Sequence, residues 1–481
     1  MSKRALRVHK TWMLPLALTA ALFVGLIGSG PAQAGVDPLD RVQLYRNSNR
    51  SVPYLPLAQP GASAGAATLV MKPLLTIELD GDPLDNAYSN VRPIDVDGDG
   101  QFELVQYNGF NFMQVWSRTG QKLWRVDNPD GRTHDTDDAV QRDPIVIADL
   151  DGDGKQDIAH CWSNGDQRLL VYRRGYDGAV IRSTPIQGIA NSECQIAAVR
   201  VATQPSPLIL VAYPIWDATA SSCPRNFIGN WVKTVAFDTN QQRLWDRNTC
   251  DAGHYVWPLD ENQDGLAEAF FVGKYLLRPD GTLQCMLNTW PASDHVDGMA
   301  IADLDPTRPG FEAVAVGGTG MAMFSAATCQ QIWRIPNTVV RDPQHVVLAQ
   351  LDPSSPTPSI VVDERGSVSN PKNYVINAQG TVLAIGANMF SMQNANLDGA
   401  LGMDEAVLNF GIVVDRYLNQ RLTKYWYWNL KGSKVVETSA GPYPNSYDRW
   451  QAYPLVMDWD RDGRDELITW GQSLIVIGKV K

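Results

Sequence analysis

Acidic side chains recur along the chain at a spacing that suits a divalent cation. Four loops place Asp or Asn at positions 1, 3 and 5, Gly at position 6, and Asp or Glu at position 9. The oxygen-bearing residues are Asp95, Asp97, Asp99 and Glu103; Asp149, Asp151, Asp153 and Asp157; Asp260, Asn262, Asp264 and Glu268; and Asp458, Asp460, Asp462 and Glu466. Because Gly tolerates positive φ, position 6 lets the backbone curl and the oxygens converge. Calcium prefers such all-oxygen cages, so the loops predict Ca2+ sites with a structural role.

Weaker copies of the loop lie between the clear ones. One keeps Asp303, Asp305 and Glu312 around a longer loop, and another keeps Asn396 and Asp398. Segments 351–353 and 207–212 keep still less of the pattern. Counted together, the copies give eight units, each a few tens of residues long, as expected for a repeat protein.

The loops resemble the first part of an EF-hand, but two features argue against that motif. Position 12 holds Gln106, His160, Phe271 and Thr469 in the four clear copies, whereas an EF-hand has a bidentate Glu there. The segments after the loops are short apolar runs, which indicate strands rather than helices.

The elements that position these loops read as short strands joined by tight turns. Hairpin signals with Gly or Asn follow the apolar runs, for example in segments 116–124, 237–245 and 277–283. Such units predict an all-β, eight-bladed β-propeller, with seven blades as the alternative. We expect the propeller to span 74–481, with N- and C-terminal strands closing the last blade, and 35–73 to be an irregular lead-in.

The N-terminal segment has the pattern of a secretory signal. Lys3, Arg4, Arg7 and Lys10 precede an apolar run at 13–27, and Ala32-Gln33-Ala34 offers a cleavage site. The alternative, a membrane anchor, would need about 20 apolar residues. The sequence thus predicts a signal peptide at 1–34, a secreted or periplasmic mature protein, and no membrane span within it.

The net charge of the chain limits the kinds of partner that it can bind. The 481 residues carry a formal charge of -11. A chain this acidic does not favour nucleic acid or an anionic membrane surface. We expect a monomer.

Six cysteines, all after the predicted signal, favour disulfides in an exported protein. Sequence does not fix their pairing, and pairs adjacent in sequence are our prediction because neighbouring strands of one blade lie close. The cysteines are Cys161, Cys194, Cys223, Cys250, Cys285 and Cys329.

The loops are similar to the FG-GAP or VCBS-type repeats of integrin α-subunit propellers. A closer resemblance covers most of 90–475, where the order of distinctive segments is similar to polysaccharide lyase family 11, the rhamnogalacturonan lyases. The most specific segment is Asp-Leu-Asp-Pro-Thr-Arg-Pro-Gly-Phe-Glu at 303–312. This resemblance implies an eight-bladed calcium propeller that cleaves the rhamnogalacturonan I backbone by β-elimination.

Candidate catalytic residues come from the same resemblance. His254, His295 and Asp297 match family positions, and His345 replaces a family Arg. β-Elimination needs a base for the C5 proton, a cation beside the uronate carboxylate and an acid for the leaving oxygen. These four residues are therefore the predicted catalytic set.

Other positions depart from the family. Ala300 stands where the family has a second His, Gln141-Arg142 replaces another His, and the family's N-terminal β-domain has no counterpart. These departures leave two further hypotheses open: a non-catalytic propeller that binds glycan or protein, and a structural or adhesive module. Trp216, Trp257 and Trp290 are candidates for stacking on sugar rings.

Overall fold

Each repeat folds into an antiparallel sheet whose inner strands are buried and whose outermost strand is partly exposed. In the computed structural model, the first sheet has three buried strands, Asn90–Ile94, Glu103–Asn108 and Phe112–Trp116, followed by Lys122–Asp127 at the surface. Neighbouring sheets cover both faces of the inner strands, so their sequences are apolar runs rather than strict alternations.

The structure describes residues 71–480 apart from internal gaps. The gaps are 82–85, 87–88, 109–110, 129–144, 165–166, 187–193, 216–230, 250–252, 292–293, 350–354, 365–371, 388–392, 396, 398–404, 408–412, 415–424, 430–433, 439–454 and 472–473. The predicted signal peptide, nearly all of the 35–73 lead-in, Gln141 and Arg142 lie outside the described residues.

The strands group into sheets that follow the chain. Blade 1 follows β1 (Met71–Glu78) and contains β2 (Asn90–Ile94), β3 (Glu103–Asn108), β4 (Phe112–Trp116) and β5 (Lys122–Asp127). Blade 2 contains β6 (Ile145–Ala148), β7 (Asp157–Asn164), β8 (Gln167–Arg173) and β9 (Val180–Ile186). Blade 3 contains β10 (Gln195–Val199), β11 (Leu208–Ile215), β12 (Trp231–Phe237) and β13 (Arg243–Thr249).

The second half continues the pattern. Blade 4 contains β14 (Val256–Leu259), β15 (Ala269–Val272), β16 (Tyr275–Leu277) and β17 (Leu283–Met286). Blade 5 contains β18 (Gly298–Ala302), β19 (Glu312–Gly317), β20 (Gly320–Ser325) and β21 (Gln331–Pro336). Blade 6 contains β22 (Pro343–Ala349), β23 (Ser359–Glu364), β24 (Lys372–Ile376) and β25 (Val382–Ala387).

The remaining strands are shorter or close the ring. A three-stranded sheet contains β26 (Gln393–Ala395), β27 (Glu405–Val407) and β28 (Val413–Val414), and a two-stranded sheet contains β29 (Tyr425–Asn429) and β30 (Lys434–Thr438). The closing blade contains β31 (Leu455–Met457), β32 (Glu466–Trp470), β33 (Leu474–Val480) and β1. In this last sheet Met71 pairs with Val480 and Glu78 with Leu474, so the two ends of the described chain share one blade.

An all-β propeller is confirmed, but the prediction of eight blades is not. Among the described residues, seven sheets have four strands, which was the alternative count. Between blade 6 and the closing blade, the chain forms the three-stranded and two-stranded sheets instead. The described strands there are as short as the two residues of β28, so the described part of this repeat pairs too few residues to form a four-stranded blade.

The first strands of the blades line the inside of the ring. Strand β10 contacts β6 and β14, and β18 contacts β14 and β22. Separate hydrophobic clusters fill the gaps between consecutive blades, such as the cluster with Val146, Ile196 and Tyr213 between blades 2 and 3. The core is therefore divided into layers between sheets.

Two disulfides join neighbouring blades. Cys161 in β7 pairs with Cys194 just before β10, and Cys285 in β17 pairs with Cys329 in the turn before β21. Both pairs are adjacent in sequence, as predicted, but they link two blades and not strands of one blade. Cys223 and Cys250 lie outside the described residues.

A tryptophan provides the link at other blade junctions. Trp245 in β13 donates its Nε1–H to the Pro279 carbonyl in the β16–β17 turn of blade 4, at 2.8 Å. Trp124 makes the same bond to Gly175 at 2.7 Å, and Trp333 to Ala378 at 2.8 Å. Trp124 and Trp245 end two of the hairpin signals noted in the sequence, at 116–124 and 237–245.

Within the part of the chain that the structure describes, there is no helix whose length and apolar character would let it cross a membrane.

Candidate functional site

Two histidines and one aspartate converge at the start of the first strands of blades 4 and 5. His254 precedes β14, while His295 and Asp297 precede β18. Asp297 Oδ1 lies 2.9 Å from His254 Nε2 and 2.8 Å from His295 Nε2. The two Nε2 atoms are 3.2 Å apart. Two imidazole nitrogens and one carboxylate oxygen this close could hold a divalent cation.

The carboxylate of this cluster is ionised and firmly held. Burial alone would raise the pKa of Asp297, but hydrogen bonds from His254 and His295 hold that pKa below its ordinary value. The Asp297 backbone N–H also donates to Val316 O at 2.9 Å, and Gln344 Nε2 lies 3.3 Å from Asp297 Oδ2. The cluster therefore presents a fixed negative charge between two imidazoles.

Glycines allow the blades to approach closely enough to build the cluster. A Cβ atom at Gly298 would lie 3.0 Å from the Gln344 carbonyl oxygen of blade 6. One at Gly317 would lie 2.5 Å from the His295 carbonyl oxygen. A side chain at either position would push the strand starts apart and separate the site residues.

A second histidine–carboxylate pair lies beside this cluster. His345 is in β22, and its Nδ1 lies 3.0 Å from Asp363 Oδ2. The His345 backbone N–H donates to Asp363 Oδ1 at 2.7 Å, and the Asp363 side chain is fully buried. A buried carboxylate that accepts the Nδ1–H of an imidazole fixes its tautomer and leaves Nε2 as a proton acceptor.

Asp363 is a candidate site residue that the sequence analysis did not predict. It follows the apolar run of β23 and belongs to no motif. The signal available in the sequence was an acidic residue directly after the apolar run Ile360–Val362, within a strand expected to be buried. Such residues are seldom buried without a partner, and His345 is that partner.

The clear acidic loops each curl into the compact form that their spacing predicts. In the first, Gly98 and Gly100 donate backbone N–H groups to Asp95 at 2.7 and 2.8 Å, and Gly100 has a φ of 82°. The position-9 carboxylate of Glu103 accepts the Val96 N–H at 3.2 Å. In every clear loop three ligand atoms lie within 4.8 Å of one another: Asp95, Asp97 and Asp99; Asp149, Asp151 and Asp157; Asp260, Asp264 and Glu268; Asp458, Asp460 and Glu466.

Electrostatics in the first two loops favours a bound cation. Burial, reinforced by neighbouring carboxylates, raises the pKa of Glu103 to about 7 and that of Asp157 to about 7. Clustered carboxylates of this kind repel one another until a cation neutralises them. An all-oxygen donor set fits Ca2+.

Other predicted residues have different surroundings. Asp305 accepts bonds from Thr307 Oγ1 at 2.6 Å and Arg308 Nε at 3.0 Å. Asp303 and Glu312 do not join it in a cluster of metal-ligand geometry among the described residues. Asn396 and Asp398 lie outside the described residues.

Two proposed sugar-stacking tryptophans are core residues. Trp257 and Trp290 are 1% and 4% exposed, so neither presents a face to a sugar. Ala300, where the family has a His, is also buried, in the cluster between blades 5 and 6. Trp216 lies outside the described residues.

The histidine cluster and the acidic loops occupy opposite ends of the first strands. His254 and Asp297 come just before β14 and β18, whereas Asp260 and Asp303 come just after them. Strands of four or five residues at about 3.3 Å each separate the two ends by roughly 15 Å. An ion in a loop therefore cannot touch a ligand bound at the histidines.

No family model matches the chain. It is 25% identical over 323 residues to the rhamnogalacturonan endolyase YesW of Bacillus subtilis (strain 168), over 54% of this chain and 49% of the relative. It is 23% identical over 344 residues to the rhamnogalacturonan exolyase YesX of the same organism, over 59% of this chain and 53% of the relative. The chain thus spans about half the length of the curated relatives it matches.

Solved structures agree with this comparison at the level of the fold. The exotype rhamnogalacturonan lyase YesX matches with a TM-score of 0.54 and 17% identity, over 89% of this chain and 75% of that chain. The PL11 rhamnogalacturonan lyase of Bacillus licheniformis matches with a TM-score of 0.52 and 16% identity, over 89% and 75%. The curated homologues are rhamnogalacturonan lyases, so the predicted resemblance is confirmed.

Proposed function

We propose that this protein is a polysaccharide lyase that cleaves rhamnogalacturonan or a related uronate polymer by β-elimination. The observation that carries the proposal is the convergence of His254, His295 and Asp297 on one point, with the His345–Asp363 pair in strands β22 and β23 of the adjacent blade. Its homology to rhamnogalacturonan lyases supports the substrate class.

The residues divide the chemistry between them. His345 Nε2 accepts the proton from C5 of the uronate, the C–H electrons form the C4–C5 double bond, and the C4–O bond breaks. The leaving oxygen takes a proton from water. Asp363 holds the His345 ring in the tautomer that can accept the proton.

A divalent cation held by His254, His295 and Asp297 would supply the positive charge that neutralises the uronate carboxylate and acidifies C5. The two imidazole nitrogens of this cluster suit a borderline ion such as Mn2+ or Zn2+ better than the all-oxygen loops do. The activity with Mn2+, with Zn2+ and with Ca2+ should therefore be compared. We assign Ca2+ to the loops that begin at Asp95, Asp149 and Asp260, where it stabilises the fold. Export through the predicted signal peptide fits the two disulfides.

The direct test is the appearance of unsaturated uronate absorbance when the protein is incubated with a panel of pectic polymers and each cation. We expect activity on rhamnogalacturonan I, and a loss of about 100-fold or more in the His254→Gln, His295→Gln double variant. His160→Gln is the matched control, because His160 is a buried histidine of blade 2 that bonds Arg173 and lies outside the site. It should retain activity.

The departures at Ala300 and His345 favour one alternative, a propeller that binds glycan without cleaving it. In that case no polymer on the panel yields unsaturated product, while calorimetry detects binding that survives the double substitution. That pair of results would exclude the lyase.

A further inference from the structure

The acidic loop of the closing blade differs from the other clear loops because a lysine from the same sheet enters it. Lys479 in β33 places its Nζ 2.5 Å from Asp460 Oδ2, 3.0 Å from Asp462 Oδ2 and 3.0 Å from Glu466 Oε1. These carboxylates are positions 3, 5 and 9 of the loop, which are the positions that would ligate an ion.

The contact has the character of an internal site. The side chain of Glu466 is fully buried and that of Lys479 is 18% exposed. The Lys479 ammonium donates a hydrogen bond to Asp460 Oδ2 and lies within ion-pair distance of the Asp462 and Glu466 carboxylates. Arg464 Nη2 adds a second positive charge 2.7 Å from Asp462 Oδ2. The loop therefore has two cations of its own.

The other clear loops have no equivalent. In the described structure, the loops at 95–103 and 260–268 have no Lys or Arg nitrogen at ion-pair distance from their acids. Lys155 approaches Asp153 at 3.8 Å, but both side chains are more than a third exposed, and such surface pairs contribute little. Lys479 alone among these basic residues reaches the buried position-9 carboxylate.

We infer that Lys479 replaces the metal ion in the closing-blade loop, so that this loop folds without calcium while the loops that begin at Asp95, Asp149 and Asp260 bind it. The prediction of ligands at Asp458, Asp460, Asp462 and Glu466 is thereby revised. The inference is independent of the proposed enzymatic activity. Its consequence is that the sheet that joins β1 to β33 stays closed when calcium is removed.

The test is the number of ions bound by the full-length, metal-stripped protein, measured by calcium calorimetry and by terbium luminescence sensitised through Trp459, which lies within this loop. We expect the Lys479→Gln variant to bind one ion more than the wild type. Its melting temperature without calcium should fall and should recover when calcium is added. Lys72→Gln is the matched control, since Lys72 pairs with Lys479 across β1 and β33 but is exposed.

A second variant keeps the inference testable if Lys479→Gln does not fold. Asp460→Asn in the wild-type background should leave the number of bound ions unchanged, because Lys479 already occupies the loop. Loss of one ion in Asp460→Asn, or equal stoichiometry in folded Lys479→Gln and the wild type, would overturn the inference.

Discussion

Asp297 and Asp363 are both buried beside histidine, yet their geometry gives them different roles. Asp297 meets two imidazoles through their Nε2 atoms, so two nitrogen atoms and a carboxylate oxygen converge on one place. Asp363 contacts a single imidazole at Nδ1 and leaves the far nitrogen of His345 available. The first arrangement suits a cation and the second suits proton transfer.

Asp363→Asn should lower kcat by about 10²- to 10⁴-fold with little change in KM, because the amide no longer fixes the His345 tautomer. His345→Gln should cause a similar loss, and the double variant little more, since the two residues act as a unit. Steady-state kinetics on rhamnogalacturonan I over a range of pH measures all three.

The control for this series is Glu364→Gln. Glu364 is the adjacent buried carboxylate, but it bonds Arg341 and Tyr374 rather than His345. It should lose stability and keep its kcat. Equal losses of kcat in Asp363→Asn and Glu364→Gln would indicate general damage to blade 6 and not a positioning role for Asp363.

Residue types and spacing predict some of these groups and not others. The acidic loops are visible because one short segment carries all their ligands. His254, His295 and His345 were found only through resemblance, and Asp363, Gln344 and Lys479 were not found at all. Each of these three acts on a residue from another strand or blade, and a contact between distant strands leaves no local pattern.

At the scale of elements, the blade junctions alternate between two kinds of link. Trp124, Trp245 and Trp333 join blades 1 to 2, 3 to 4 and 5 to 6. The disulfides join blades 2 to 3 and 4 to 5. Each tryptophan ring also covers a glycine of positive φ in the turn it reaches: Gly178, Gly281 or Gly380. Local turn chemistry and contacts between blades thus support each other.

Trp245→Phe should lower the free energy of unfolding by about 1–3 kcal/mol, through loss of the bond to the Pro279 carbonyl and of ring volume stacked near Phe270. Denaturant unfolding measures the change. Leu244→Ala, at an exposed neighbouring position, should be nearly neutral. If both variants unfold at the same denaturant concentration as the wild type, the tryptophan link does not stabilise the junction.

At the scale of the whole molecule, calcium and pH should act on stability together. Glu103 and Asp157 have pKa values raised to about 7 by burial, above those of the unfolded chain. Between the unfolded and folded pKa values the metal-free fold binds more protons than the unfolded chain, so its stability falls as pH rises through that window and levels off above the folded pKa of about 7. Protonated loops also bind calcium poorly.

Chelated protein should therefore melt at a higher temperature near pH 5.5 than near pH 8, and added calcium should raise the melting temperature most near pH 8. Calorimetry or dye-based melting measures both effects. Glu103→Gln should weaken the pH dependence, whereas Glu78→Gln, at an exposed position of β1, should not. A melting temperature that does not respond to excess chelator at either pH would contradict a structural role for calcium.

The propeller class could be predicted because the same loop and the same hairpin recur along the sequence, and each recurrence indicates another blade. The number of blades could not be predicted, because counting degenerate copies of the acidic loop assumes that each copy still belongs to a four-stranded sheet. Between β26 and β30 the sequence keeps Asn396 and Asp398 of the loop, but the described strands there form sheets of only three and two strands. Pairing between strands depends on how long the strands are, and a degenerate acidic loop carries no information about strand length.

The pairing of β1 with β33 also sets an order of events in time. Blades 1 to 6 are built from consecutive segments, so each can form as soon as its own stretch has been synthesised. Strand β33, made last among the described strands, pairs with β32 as well, but β1, made first, must wait for β33 before it has its partner. Such late, distant contacts are slow to form and leave unpaired edges open to other chains. We expect misassembly of this protein to occur in the interval before Met71 meets Val480.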